Sequence, residues 1–116
     1  MTKKAQRSSV STLQKTYEVL DVISQQLSPE EAADFFAGLP LGTGVERLAY
    51  KVVAARNATK LFKRGFHLEA SRIFLDLGSK KRALKAVSRG RALNRANPEV
   101  LDILRELEIA AKELPG

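Results

Sequence analysis

The 116-residue chain contains no cysteine. A disulfide framework, a thiolate metal site and a cysteine nucleophile are therefore excluded, and the composition fits a reducing compartment. No apolar run approaches the roughly 18 residues that cross a bilayer. The opening "MTKKAQRSSVST" is basic but has no apolar stretch behind it, so it is not a secretory signal. It reads as a disordered basic tail over residues 1–10, followed by one domain over 11–116 of a cytoplasmic protein. Valine-isoleucine-threonine runs flanked by turn residues are missing too, which leaves no strand signal. There is a single histidine, His67. A metal site would need carboxylate companions at ligand spacing, and only Glu69 is near. His67 is expected at the surface in the first turn of a helix. No nucleophile motif is present. No catalytic residue, metal or cofactor is expected, and the chain is read as a non-enzyme.

Apolar residues recur at spacings of three and four, the period of amphipathic helix. The expected fold is all-α, with about six helices in antiparallel pairs. A first helix is expected from Ser11, capped with Gln14, to Leu27. Leu13, Tyr17, Leu20 and Leu27 form its stripe, widened by Val19, Val22 and Ile23. Ser28, Pro29 and Glu31 form a capping box with proline at the first helical position, and that helix ends near Gly38. "LPLGTG" then stops the chain at Pro40 and turns it through Gly42 and Gly44. Thr43 with Glu46 starts a third helix that runs to about Arg64, with Val45, Leu48, Val52, Ala55, Thr59 and Phe62 as its inward stripe. Gly65 closes this helix as a left-handed cap. A fourth spans about Phe66–Leu77, with Phe66, Ala70, Ile73, Phe74 and Leu77 inward, and Gly78 caps it. A fifth runs from Ser79 to about Ala96. Asn97-Pro98 opens a sixth, with Val100, Leu104, Leu107, Ala111 and Leu114 inward, and Pro115-Gly116 ends it.

Within "RGFHLEASRIFLDLG", Gly65, Glu69, Ala70 and Phe74 fall at spacings that resemble the junction between the two helices of a tetratricopeptide repeat. Glycine permits the turn, alanine permits close approach, and the aromatic fills the space beyond. Gly78, Ala83 and Val87 repeat that spacing thirteen residues later, whereas the family period is about 34. The echo reads as two successive helices opening with the same turn chemistry. Ala54 and Leu61 stand where the family carries tryptophan and tyrosine. The resemblance covers about residues 50–98. It implies stacked helical hairpins, a short tetratricopeptide-like α-solenoid, and a role as an adaptor or chaperone that binds an acidic protein segment. A plain helical bundle is the other architecture open at this point.

The net charge is +7 at neutral pH, and it is sectored. Residues 51–95 carry thirteen Lys/Arg against two acids, Glu69 and Asp76, while the flanking segments are net acidic. Arg56, Lys60, Lys63 and Arg64 share a face of the third helix. Lys81, Lys85 and Arg89 fall at i, i+4, i+8 on the fifth, with Arg91 and Arg95 as a second i, i+4 pair and Lys80 and Arg82 in the first turn. Like charges at this spacing destabilise a helix, and cations at its N-terminus oppose the macrodipole. Folding does not ask for them, whereas a polyanion does. These nine residues (Arg56, Lys60, Lys63, Arg64, Lys81, Lys85, Arg89, Arg91 and Arg95) are the candidate contacts to DNA or RNA. The opposing reading is a solvated basic face partnered by Glu99, Asp102 and Glu106. Apart from Phe62 and Phe66, aromatics do not interleave these cations, so phosphate contact or one helix in a groove is expected rather than base stacking.

Other readings are weaker. A helix-turn-helix over helices two and three has a turn of five or six residues, and Glu46 at the start of the reading helix. "GLPLGTG" lacks the lysine and the preceding strand of a phosphate loop. Glu30, Glu31 and Asp34 suit a helix N-terminus without catalysis. Homodimerisation through the stripes of the first and last helices is a further possibility.

Overall fold

A computed structural model describes Lys15 and residues 18–38 and 45–116, with the side chains of 37, 38 and 45–49 excepted. The basic tail, the Ser11–Gln14 box, Leu13, Tyr17, the "LPLGTG" turn and the Thr43–Glu46 box lie outside what is described. Among the described residues the fold is all-α, with no strand. The helices are α1 (18–26), α2 (Pro29–Gly38), α3 (Val45–Lys63), α4 (His67–Asp76), α5 (Lys80–Leu93) and α6 (Pro98–Lys112).

The starts of α2 and α6 follow from single residues. At α2 the Glu31 N–H donates to the Ser28 hydroxyl and the Ser28 N–H donates to the Glu31 carboxylate, both at 3.2 Å. The helix begins on Pro29, whose missing N–H would be an orphan there in any case. These hydrogen bonds hold the Glu31 carboxyl below its ordinary range. At α6 the Asn97 side chain accepts from the Val100 N–H at 3.3 Å, with Pro98 in the first turn.

The junctions on either side of α4 share one geometry. At the end of α3, Phe66 N–H donates to the Leu61 carbonyl (2.9 Å) and Gly65 N–H to the Phe62 carbonyl (3.1 Å). At the end of α4, Ser79 N–H donates to Phe74 (2.9 Å) and Gly78 N–H to Leu75 (3.0 Å). Each is a Schellman motif built on a left-handed glycine, with φ of +91° at Gly65 and +74° at Gly78. In both, the residue after the glycine is also the N-cap of the next helix. The thirteen-residue echo in the sequence is this repeated turn. Neither N-cap side chain bonds its own helix, Ser79 included.

Three-residue connections between packed neighbours make α3, α4 and α5 reverse direction in succession. α4 is the centre, packing against α2, α3, α5 and α6. Eight alanines line the core (Ala32, Ala33, Ala54, Ala58, Ala70, Ala83, Ala86, Ala111), which lets the helix axes approach closely around Phe36, Ile73 and Phe74. Gly90 serves the same end between α5 and α6. A β-carbon there would stand 3.1 Å from a Leu104 methyl.

Several expectations are corrected. The face that α3 buries fully is Tyr50, Val53, Ala54, Ala58 and Leu61; of the expected stripe, Val52 is 48% exposed, Ala55 and Thr59 are half-buried, and Phe62 is half-buried against the core. Both sets have helical spacing, and the alanine-bearing face is the one that permits close approach. On α1, Val19 and Val22 are exposed rather than part of the buried stripe. α5 ends at Leu93, not Ala96: the Asn94 amide donates to the Gly90 carbonyl at 2.7 Å and caps the helix early. α6 ends at Lys112, before Leu114. His67 is buried, not at the surface.

Nothing lies within 4 Å of where a β-carbon would sit on Gly65 or Gly78. Gly65→Ala and Gly78→Ala are therefore expected to lose about 1–2 kcal/mol each through backbone strain alone. Urea unfolding followed by circular dichroism checks this; unchanged midpoints would contradict the assigned left-handed turns.

Candidate functional site

α3 and α5 flank α4, and their side chains meet over it. Thr59 and Phe62 from α3, Phe74 from α4, and Arg82 and Lys85 from α5 line a cleft of about 200 Å³. The Lys85 ammonium lies 5.6 Å from the Phe62 ring centroid, and the Arg82 guanidinium 5.9 Å from that of Phe74. Each cation covers an aromatic face that attracts it through the ring quadrupole. The Thr59 hydroxyl donates to the Ala55 carbonyl at 2.9 Å, so it is satisfied within its own helix. The stripe expected in the core of α3 thus does have a role: its Thr59 and Phe62 form one wall of this cleft.

Arg82, Lys85 and Arg89 fall at i, i+3, i+7, along one side of α5. Arg89 acts on His67, whose ring stands 4.7 Å from that of Phe62 in an edge arrangement. Lys63 is four residues beyond Thr59 and Arg56 three before it, so both continue the α3 wall. Lys60 and Arg64 lie further round the same helix. Arg64 rests 5.2 Å over the Phe66 ring. Arg56, Lys60, Lys63 and Arg64 are exposed, as are Lys81, Lys85 and Arg89. Among the described residues, Lys60, Lys63, Arg64, Lys81, Lys85 and Arg89 form no ion pair.

The remaining two candidates point elsewhere. Arg91 pairs with Glu108 of α6, which also accepts Lys112 at 3.1 Å. Arg95 lines a separate cleft with Ser88, Arg91, Ala92 and Leu101 on the α6 side. The acidic partner is thus Glu108 rather than Glu99, Asp102 or Glu106. The hydrogen bond from Lys112 leads the interactions that hold the Glu108 carboxyl below its ordinary value. Asp34 pairs with Arg72 at 2.7 Å and ties α2 to α4. Phe74 and Arg82 join the site although neither is among the nine candidate contacts. Arg82's i, i+3 relation to Lys85 was a usable signal; the position of Phe74 under the cleft follows only from the packing of α4.

Two titratable groups are buried. The Tyr50 hydroxyl is sealed from solvent beside the Asp76 carboxylate. Burial, and then the charge of the nearby Asp76 carboxylate, push its pKa up to about 12. Burial likewise raises Asp76. Tyr50 is therefore a protonated core residue at neutral pH, with its ring 6.0 Å from Phe36. His67 Nδ1 is buried without a partner. Burial lowers the His67 pKa, Arg89 lowers it further, and Glu69 opposes them. Among the described residues, no three His, Asp or Glu side chains are grouped to hold a metal, and no helix is long and apolar enough to cross a membrane.

Neither protein-family models, nor curated proteins, nor solved structures give a match to this chain.

The pKa of His67 is lowered from 6.5 in the folded chain. As pH falls through 6.5 the unfolded chain takes up a proton that the folded chain still refuses, so stability is expected to fall there and to level off below the folded pKa. His67 is the one histidine in the sequence, so His67→Leu is expected to flatten that window. Thermal unfolding from about pH 8 to about pH 5 measures it. A wild-type midpoint that is constant across this range would contradict the neutral buried imidazole.

Proposed function

We propose that the protein binds nucleic acid, DNA or RNA, through the cations that α3 and α5 bring to the two sides of one cleft. The carrying observation is the reach of Lys85 from α5 to the Phe62 ring of α3. It joins two basic stripes that are far apart in the chain. Neutralised phosphates release condensed counterions, and this supplies affinity without base reading. Lys63 beside the cleft, with Lys60 and Arg64 further round the end of α3, would contact phosphates from one side, and Lys81, Arg82, Lys85 and Arg89 from α5. Arg91 sits outside this set because Glu108 already neutralises it. No catalytic constellation is assigned, and a small binding module of this kind suits an accessory or regulatory role.

A second reading draws on the helical hairpins. α4 packs on α2 and α6 as well as on α3 and α5. This layering is compatible with a tetratricopeptide-like stack in which α3 and α5 present the cleft to an acidic protein segment. Binding would then depend on apolar contact at Phe62 and Thr59 as much as on charge.

Fluorescence anisotropy with mixed-sequence DNA and RNA separates the two. Affinity is expected to fall by a log–log salt slope of several units. Charge reversal at Lys60, Lys81 and Lys85 together should weaken binding by about a hundredfold or more, with an unchanged melting temperature. Reversal of Arg91 and Arg95 should do much less. Undetectable binding at about 50 mM salt would overturn the nucleic-acid reading.

A further inference from the structure

The geometry points to an unpaired nucleobase as the occupant of the α3–α5 cleft, which makes the ligand a single strand rather than a duplex. This rests on the nucleic-acid reading and narrows it.

Four observations support the narrowing. The cleft has two aromatic rings, Phe62 and Phe74, and two cations, Arg82 and Lys85, with no carboxylate among its described lining residues. At about 200 Å³ it is smaller than the pockets of roughly 300–1,000 Å³ that enclose whole small ligands. It suits one unit of a polymer that continues outside. It is also recessed between helices, whereas duplex reading requires an element that projects into a groove. A duplex keeps its bases stacked inside and has nothing to insert here. Finally, no ion pair among the described residues holds the cations over the rings: Arg82 and Lys85 are exposed and contact the rings.

A base entering the cleft would replace Lys85 on the face of Phe62, since a π-face offers the same ring a stacking partner. The displaced ammonium then meets the phosphate attached to that base. Arg82 stays over Phe74, which is buried in the core, and Arg89 stands one turn beyond Lys85 on α5 for the next phosphate. Stacking is tolerant of sequence, so the site selects strandedness and not base identity. The folded chain interleaves aromatics with cations here, an arrangement that the linear sequence, with Phe62 and Phe74 on different helices, does not display.

The test compares oligothymidylate of roughly 12–16 nucleotides with a mixed-sequence duplex of the same length. The chain has no tryptophan, so Phe62→Trp adds a single reporter at the proposed seat. Wild-type protein is expected to bind the single strand at least about tenfold tighter than the duplex. The single strand is expected to quench the Phe62→Trp emission, and the duplex is not. Phe62→Leu, which keeps an apolar side chain but offers no stacking face, should lose the preference for the single strand. Equal or tighter duplex binding by wild-type protein, or an unquenched Phe62→Trp in a variant that still binds, overturns the base seat and leaves phosphate contact standing. Absence of binding to both ligands overturns the nucleic-acid reading itself. The wild-type comparison holds whether or not either variant folds.

Discussion

At Gly65 and again at Gly78 the backbone passes through the left-handed region that residues with side chains avoid. Each glycine closes one helix and, one residue later, the next begins. Between them lies α4, just ten residues from His67 to Asp76. The two turns hold it against both neighbours and set α3 and α5 on its flanks. Alanines then allow the helices to close around it. The meeting of Thr59 and Phe62 with Arg82 and Lys85 depends on this arrangement, because those residues share no element and no local contact. A change in either glycine acts on the cleft through the backbone, without touching a residue that lines it.

The electrostatics of the helices divide the molecule. α2 carries Glu30 and Glu31 in its first turn, α6 carries Glu99, and both have a polar cap bonded to the backbone. These helices obey the local rules. α5 does not: its first turn holds Lys80, Lys81 and Arg82, has no acid, and lacks a side-chain cap bond. Each like-charge pair costs a few tenths of a kcal/mol, and the macrodipole adds to this. Tertiary burial of Ala83, Ala86, Val87 and Gly90 sustains the helix in spite of that. Arg82, Lys85 and Arg89 beside the cleft form no ion pair among the described residues, whereas Arg91, on the other side of α5, is paired with Glu108. The departure from helix-stabilising patterning is thus localised to one side of one helix and the facing wall of another.

The features that were legible in the sequence are those decided by one or two neighbouring residues. The Ser28–Glu31 box, the Asn97-Pro98 start and the glycine turns all depend on local stereochemistry. The inward face of α3 was not legible. Val52, Ala55, Thr59 and Phe62 form as good an apolar stripe as Tyr50, Val53, Ala54, Ala58 and Leu61. The choice between them is made by α4, through close approach to Ala54 and Ala58. His67 reads as a surface residue from its place in a helix's first turn, yet it is buried with the Phe62 ring against it and Gly90 beside its β-carbon. The basic sector was legible as a sector, while its division into a cleft side and an α6 side was not, since it depends on where Glu108 lands. Phe74 was recognised for the core but not as a floor of the cleft.

The central claim is that the cations of α3 and α5 act on one ligand at one place. Amide chemical-shift mapping of the isotope-labelled protein, titrated with a short single-stranded oligonucleotide, tests it directly. The account expects perturbations concentrated at Thr59–Lys63 of α3 and Arg82–Arg89 of α5, with α6 unmoved. Perturbations centred on Leu93–Leu101 or α6, or spread evenly over every exposed lysine and arginine, would contradict it.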